Sequence, residues 1–291
     1  MSIIEKLNIS YNSNNNEQQQ LDLYYPNDDN GKDRTLVIYI HGGFWVARDK
    51  KEYSNLGKYL AEKVNVACAV INYRLSSDKH KETERILYPE HNYDLIESIV
   101  WLIQNNCDDK GKEMYSNSKI VLMGHSCGGH MISTVALNWD LYIDQMIKDN
   151  KNRFKQFNET YKQLKTSIKG CIGIQGLYDF VALHEDFPNY LEDIKIVFND
   201  DWFDTTNIKE TTLDRSNTSW LIIHSPEDTW VNRRQSVNAV NHLRNVLKFD
   251  KVQLEENVKG PHFEVVTNFG NLSVIDADNT REIVKNYLNK I

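Results

Sequence analysis

The chain has 291 residues, 40% of them hydrophobic, enough to bury a sizeable core as one large domain or two small ones. Its 34 basic and 41 acidic side chains leave a formal charge of −7, with no Lys/Arg run long enough to track a phosphate backbone, so nucleic acid is not an expected partner. No stretch approaches the apolar length of a membrane span, and the start MSIIEKLNIS lacks the basic-then-apolar pattern of a secretory leader, so neither a membrane nor export is expected.

The four cysteines, Cys68, Cys107, Cys127 and Cys171, are scattered without CxxC spacing. They read as reduced, buried thiols of a cytoplasmic protein, and no metal site is expected. In chain order, NSNNNEQQQ (12–20) reads as a loop and LDLYYP (21–26) as strand-like. TLVIYI (35–40) is a continuous apolar run suited to a strand covered on both faces. A helix is expected over 51–64, a buried strand over 67–75, and an amphipathic helix over 93–104 carrying Leu95, Ile96, Ile99, Val100, Leu102 and Ile103. KIVLMG (119–124) is the next strand and a helix follows it. Later strands fall at 168–179, 220–228 and 251–258, and TREIVKNYLNKI closes the chain as a helix. The alternation predicts a single α/β domain over 1–291, built on a mostly parallel central sheet with helices on both faces. Residues 138–167 and 180–216 break the pattern and are expected to be helical insertions or a small cap.

GHSCGGH (124–130) places Ser126 in a GxSxG pattern between a buried strand and a helix. That junction is a nucleophile elbow, whose sharp turn exposes the hydroxyl and whose glycines avoid side-chain clashes. A serine needs a base, and the base needs an orienting acid, in the chain order Ser, acid, His. Of nine histidines, His262 in KGPHFE is the one after the last predicted strand. For the acid, LIIHSPEDTWV offers Asp228, with Asp179 in GLYDF and the neighbouring Glu227 as alternatives. HGGFW (41–45) follows the strand TLVIYI, where an oxyanion hole would draw on the amides of Gly42, Gly43 or Phe44, with Cys127 as the second donor. His41 reads as a residue that orients this loop by hydrogen bonding.

IHGGFW, GHSCGGH, IQGLYDF, IHSPEDTWVNRRQS and GPHFE occur in the order expected of an α/β-hydrolase, and the set resembles the kynurenine formamidases (arylformamidases), the shorter fungal type in particular, over roughly residues 20–290. The resemblance implies hydrolysis of N-formyl-L-kynurenine to L-kynurenine and formate, a step of tryptophan catabolism toward NAD. It also implies Ser126 as nucleophile, Asp228 as orienting acid, His262 as base and Gly43 and Cys127 as oxyanion donors. It requires no cofactor. Cys127 departs from the Ala or Val of most relatives, and SSDKHKETER (76–85) is longer than expected. Phe44, Trp45, Tyr178, Trp202, Trp230 and Phe263 are candidates for an aromatic pocket wall, and Arg48 reads as a surface ion pair or, alternatively, as partner of the substrate's carboxylate. The expected partner is a small-molecule substrate, with homodimer assembly left open. Two rival readings are a carboxylesterase acting on small acyl esters and a catalytically silent α/β-hydrolase used as a binding module.

Overall fold

The computed structural model describes residues 2–13, 15–76, 85–149, 154, 157–198, 204–271 and 278–291. Eight strands form one sheet: β1 (Ile3–Ser10), β2 (Gln20–Pro26), β3 (Leu36–Ile40), β4 (Ala67–Ile71), β5 (Ile120–His125), β6 (Ile168–Ile174), β7 (Ser219–Ile223) and β8 (Val252–Glu255), in the order β1-β2-β4-β3-β5-β6-β7-β8. β1 and β2 pair antiparallel, as do β2 and β4, and the remaining neighbours are parallel. This is the α/β-hydrolase fold.

The strands β3, β4 and β5 are buried along their whole length because both faces are covered. Side chains alternate between the faces with the two-residue strand period. Leu36, Ile38 and Ile40 join one core with α2 (Glu90–Gln104) and α3 (Cys127–Leu137), which contribute Leu95, Ile99, Met131 and Ile132. Val37 and Tyr39 join the opposite core, where α1 (Ser54–Tyr59), α8 (Glu264–Thr267) and α9 (Asp278–Leu288) supply Leu56, Val265 and Val284. Each such aliphatic side chain stabilises the fold by about 1.5–3 kcal/mol of apolar transfer.

The helix expected over 51–64 is divided into a 3-10 turn (Lys50–Tyr53), α1, and a π turn (Leu60–Val64) that ends on Asn65 at φ 64°. The two irregular stretches supply α4 (Trp139–Asp149) and a 3-10 segment (Glu159–Ser167), then α5 (Phe180–Asp186) and α6 (Leu191–Phe198). One helix separates the last two strands, α7 (Arg233–Asn241). All four cysteines are free, and three are buried as expected; Cys107 is exposed instead, because its segment runs outside the sheet. No helix among the described residues is long and apolar enough to cross a membrane.

Burial holds three histidines neutral. His41, His91 and His125 are each at most 1% exposed, and desolvation pushes their pKa values down, His91 to about 3. An unfolded chain takes up protons at these positions once the pH drops below about 6.5, while the folded chain refuses them. Their contribution is therefore complete above that pH and is lost as acidity increases, at no more than about 1.4 kcal/mol per pH unit for each histidine. Thermal unfolding is expected to show a Tm that is flat from pH 8 to 7 and falls steeply between pH 6.5 and 5. A flat Tm across that range would contradict the neutral assignment.

Candidate active site

Parallel register brings the C-terminal ends of five strands level: Ile40 pairs with Gly124, Gly124 with Gly173, Gly173 with Ile222 and Ile222 with Leu254. The segments that follow, carrying HGGFW, Ser126, Asp179, Asp228 and His262, therefore open on one edge of the sheet.

Ser126 lies between β5 and α3 with φ 54° and ψ −122°, a conformation that costs a non-glycine residue about 1–3 kcal/mol. Its surroundings enforce it. The Ser126 amide donates to the Ile174 carbonyl at 3.0 Å, and its own carbonyl accepts from the Gly129 amide at 2.9 Å. The turn closes so tightly that a Cβ on Gly128 would lie 2.3 Å from the Ile40 carbonyl oxygen. Only glycine permits that approach.

Asp228 follows β7. Its Oδ1 accepts from the amides of Trp230 (2.8 Å) and Val231 (3.0 Å), and its Oδ2 lies 2.7 Å from His262 Nδ1. Both side chains are almost fully buried. With Nδ1 engaged as donor, His262 keeps Nε2 as its basic nitrogen. The alternative acids are otherwise engaged. Asp179 caps α5, accepting from the Ala182 amide at 2.9 Å and from Asn238 Nδ2 at 2.7 Å. Glu227 Oε2 accepts from the Gly260 amide at 2.9 Å, two residues before His262, so it braces the histidine loop.

A second brace comes from His125, whose Nε2 donates to the His262 carbonyl at 2.8 Å while the two rings sit 4.6 Å apart. The serine turn and the histidine loop are thus tied by the residue next to the serine. Removing the brace in His125→Ala is expected to lower kcat by about 10-fold or more through misplacement of His262, with a smaller change in KM, as steady-state kinetics would show. An unchanged kcat would assign His125 to packing alone.

The HGGFW loop lies over the serine: a Cβ on Gly42 would come within 2.9 Å of the Ser126 Cβ. Gly43, Phe44, Trp45 and Arg48 all have positive φ. His41 Nδ1 donates to the Gly42 carbonyl at 2.7 Å and its ring stacks on Tyr73. The Trp45 amide reaches Cys127 Sγ at 3.4 Å, and the Tyr73 hydroxyl lies 3.1 Å from the His41 carbonyl and 3.6 Å from the same sulfur. Burial pushes the Cys127 thiol up to about 11, opposed by Tyr73 and by the amides of Trp45 and Phe44. The thiol therefore stays protonated and inward.

Ser126 and His262 line one cavity of about 460 Å³, walled by Phe44, Tyr190, Trp230 and Phe263. A larger cleft of about 770 Å³ lies among Lys119, Trp220, Lys251 and Tyr287, at the start of the strands, and no candidate site residue lines it. The candidate residues thus open into the smaller of these two cavities. Among the described residues no group of three or more His, Cys, Asp and Glu side chains is arranged to hold a metal ion.

A family profile described as BD-FAE matches residues 21–243, most of the chain. The chain belongs to the BD-FAE family. This BD-FAE member is similar to the kynurenine formamidase of Salmo salar, 24% identical over 89% of this chain and 75% of the salmon protein. It is also similar to the esterase LipC of Mycobacterium tuberculosis, 25% identical over 85% of this chain but only 58% of LipC. Among solved structures it resembles a C6-C4 SN3-inhibited esterase B from Lactobacillus rhamnosis, with a TM-score of 0.67 at 19% identity over 99% of this chain and 88% of that one. These two relatives and this solved structure are a formamidase and two esterases, all hydrolases.

In this BD-FAE chain the aromatic expectations divide. Phe44, Trp230 and Phe263 line the cavity. Trp45 does not: it is 1% exposed and packs edge-on against His130 and Phe198 in the core, because its backbone turns the side chain under the loop. Tyr178 is also core, with its ring and hydroxyl filling the space left by Gly173 and Gly176. Trp202 lies outside the described residues. The wall residue missed from the sequence is Tyr190, which arrives from the insertion after α5.

Proposed function

We propose that this BD-FAE member is a serine hydrolase in which Ser126 is the nucleophile, His262 the general base and Asp228 the acid that orients it, and that its substrate is N-formyl-L-kynurenine. The observation that carries the proposal is the 2.7 Å contact between Asp228 Oδ2 and His262 Nδ1 beside a strained Ser126 in the same cavity. Ser126 Oγ attacks the formyl carbon as His262 Nε2 takes its proton. The amides of Gly43 and Cys127 hold the developing oxyanion, a term worth about 3 kcal/mol per donor. His262 then protonates the departing arylamine, leaving a formyl-serine. Water, deprotonated by the same imidazole, releases formate and restores the serine. An arylamine leaves more readily than an alkylamine, so the triad suffices for this bond.

The formamide assignment rests on the relative named kynurenine formamidase, which aligns over nearly the whole chain, and on an aromatic cavity suited to an anilide. The second reading, a carboxylesterase acting on small acyl esters, is favoured by the match to LipC. Both use the same machinery. Comparing kcat/KM for N-formyl-L-kynurenine and p-nitrophenyl acetate separates them: the formamidase reading expects the formamide to be at least as good a substrate. A formamide rate lower by orders of magnitude would replace it with the esterase.

A further inference from the structure

Arg48 sits in the loop that covers Ser126, at φ 85°, where a long side chain is strained and glycine would be at ease. A strained residue persists only where its surroundings hold it, and such positions cluster at binding sites. The local partners of Arg48 do not account for it. Its Nη1 meets Glu52 at 2.7 Å, but both side chains are about one-third exposed, and exposed pairs of this kind contribute little. Among the described residues Nε and Nη2 make no hydrogen bond.

The side chain instead crosses the site. Its Cγ lies 2.7 Å from where a Cβ on Gly43 would be, so its stem occupies the space beside the oxyanion loop. Its guanidinium rests 4.3 Å from the centre of the Phe263 ring, next to His262. Arg48 lines the same cavity as Ser126, where among the described residues it is the one permanently charged side chain, and no carboxylate of those residues lines that cavity. A guanidinium held over an aromatic face, with donors to spare, is fitted to take a carboxylate in a fork of two hydrogen bonds.

We propose that Arg48 is a specificity residue, selecting aromatic substrates that carry a carboxylate beside the scissile acyl group. The inference rests on the reading of Ser126 as nucleophile, and it applies whether the bond broken is an ester or a formamide. The test compares two aryl acetates that differ only in the side-chain carboxyl, 3-(2-acetoxyphenyl)propanoate and its carboxamide, with hydrolysis followed by release of each phenol. The purified chain is expected to prefer the carboxylate by about 10-fold or more in kcat/KM, the size of one charge-assisted interaction. Arg48→Gly is expected to reduce that preference to within about 2-fold, while Arg48→Lys keeps part of it. Because each protein is judged by the ratio of its two rates, a general loss of activity cancels. Arg48→Gly is also expected to hold or raise the Tm, since it relieves the backbone. Hydrolysis of both esters with equal efficiency, or a preference that survives in Arg48→Gly, would overturn the role of Arg48 alone. Hydrolysis of neither by the unaltered chain would overturn the hydrolase reading and this inference with it.

Discussion

Ser126→Ala is expected to lower kcat/KM by about 10,000-fold or more while leaving the fold intact. The hydroxyl is the atom that would bond to the substrate, and no neighbouring group replaces it: the nearest thiol, Cys127, is buried and protonated. What remains is the contribution of the oxyanion amides and of binding, which is why the loss is finite. Alanine keeps the Cβ and hence the strain at φ 54°. Ser126→Gly removes both, so it is expected to be as inactive as the alanine variant yet more stable by about 1 kcal/mol. Stability gained together with activity lost would show that the turn is strained to hold the hydroxyl up. Kinetics on both variants beside their melting curves would check this, and an active Ser126→Ala would refute it.

Asp228→Asn is expected to cost about 1,000- to 10,000-fold in kcat at neutral pH. The geometry explains why an isosteric change is so damaging. Oδ1 must accept from the Trp230 and Val231 amides, so the amide oxygen of asparagine takes that side. Its NH2 then faces His262 Nδ1, which must become an acceptor. The proton moves to Nε2, the nitrogen that has to receive the proton of Ser126. The base is thus present, in place and in the wrong tautomer. Little change in stability accompanies the substitution, because every hydrogen bond is still made. A kcat within a few-fold of the unaltered chain would transfer the orienting role elsewhere.

The sheet and the strand-ending motifs were legible because their signals are local. β3, β4 and β5 are runs of apolar residues that must be covered on both faces, and the glycines around Ser126 mark a turn that only they allow. β1 was missed because it is an edge strand with mixed character, exposing Glu5, Leu7 and Asn8. α7 was missed because RRQSVNAVN has almost no apolar stripe; one of its buried residues is a glutamine, Gln235, whose side chain binds the backbone of Tyr178 and Asp179. The pocket was legible only in part. An aromatic residue next to a catalytic motif can turn inward, as Trp45 and Tyr178 do, and sequence proximity does not reveal which way. Tyr190 comes from a segment without periodic pattern, and nothing local relates it to Ser126. The chain order Ser, acid, His rules out His125 as the base but says nothing about a histidine that supports one.

A fluorophosphonate reacts with a serine only when a base has made it nucleophilic, so it interrogates Ser126, His262 and Asp228 together. The measurement is intact mass followed by peptide mapping of the labelled chain. One adduct per chain, on the peptide containing Ser126, is expected, fading in Asp228→Asn and absent in Ser126→Ala. A folded chain that stays unlabelled, or carries the adduct on another serine, would contradict the assignment of this edge of the sheet as the place of catalysis.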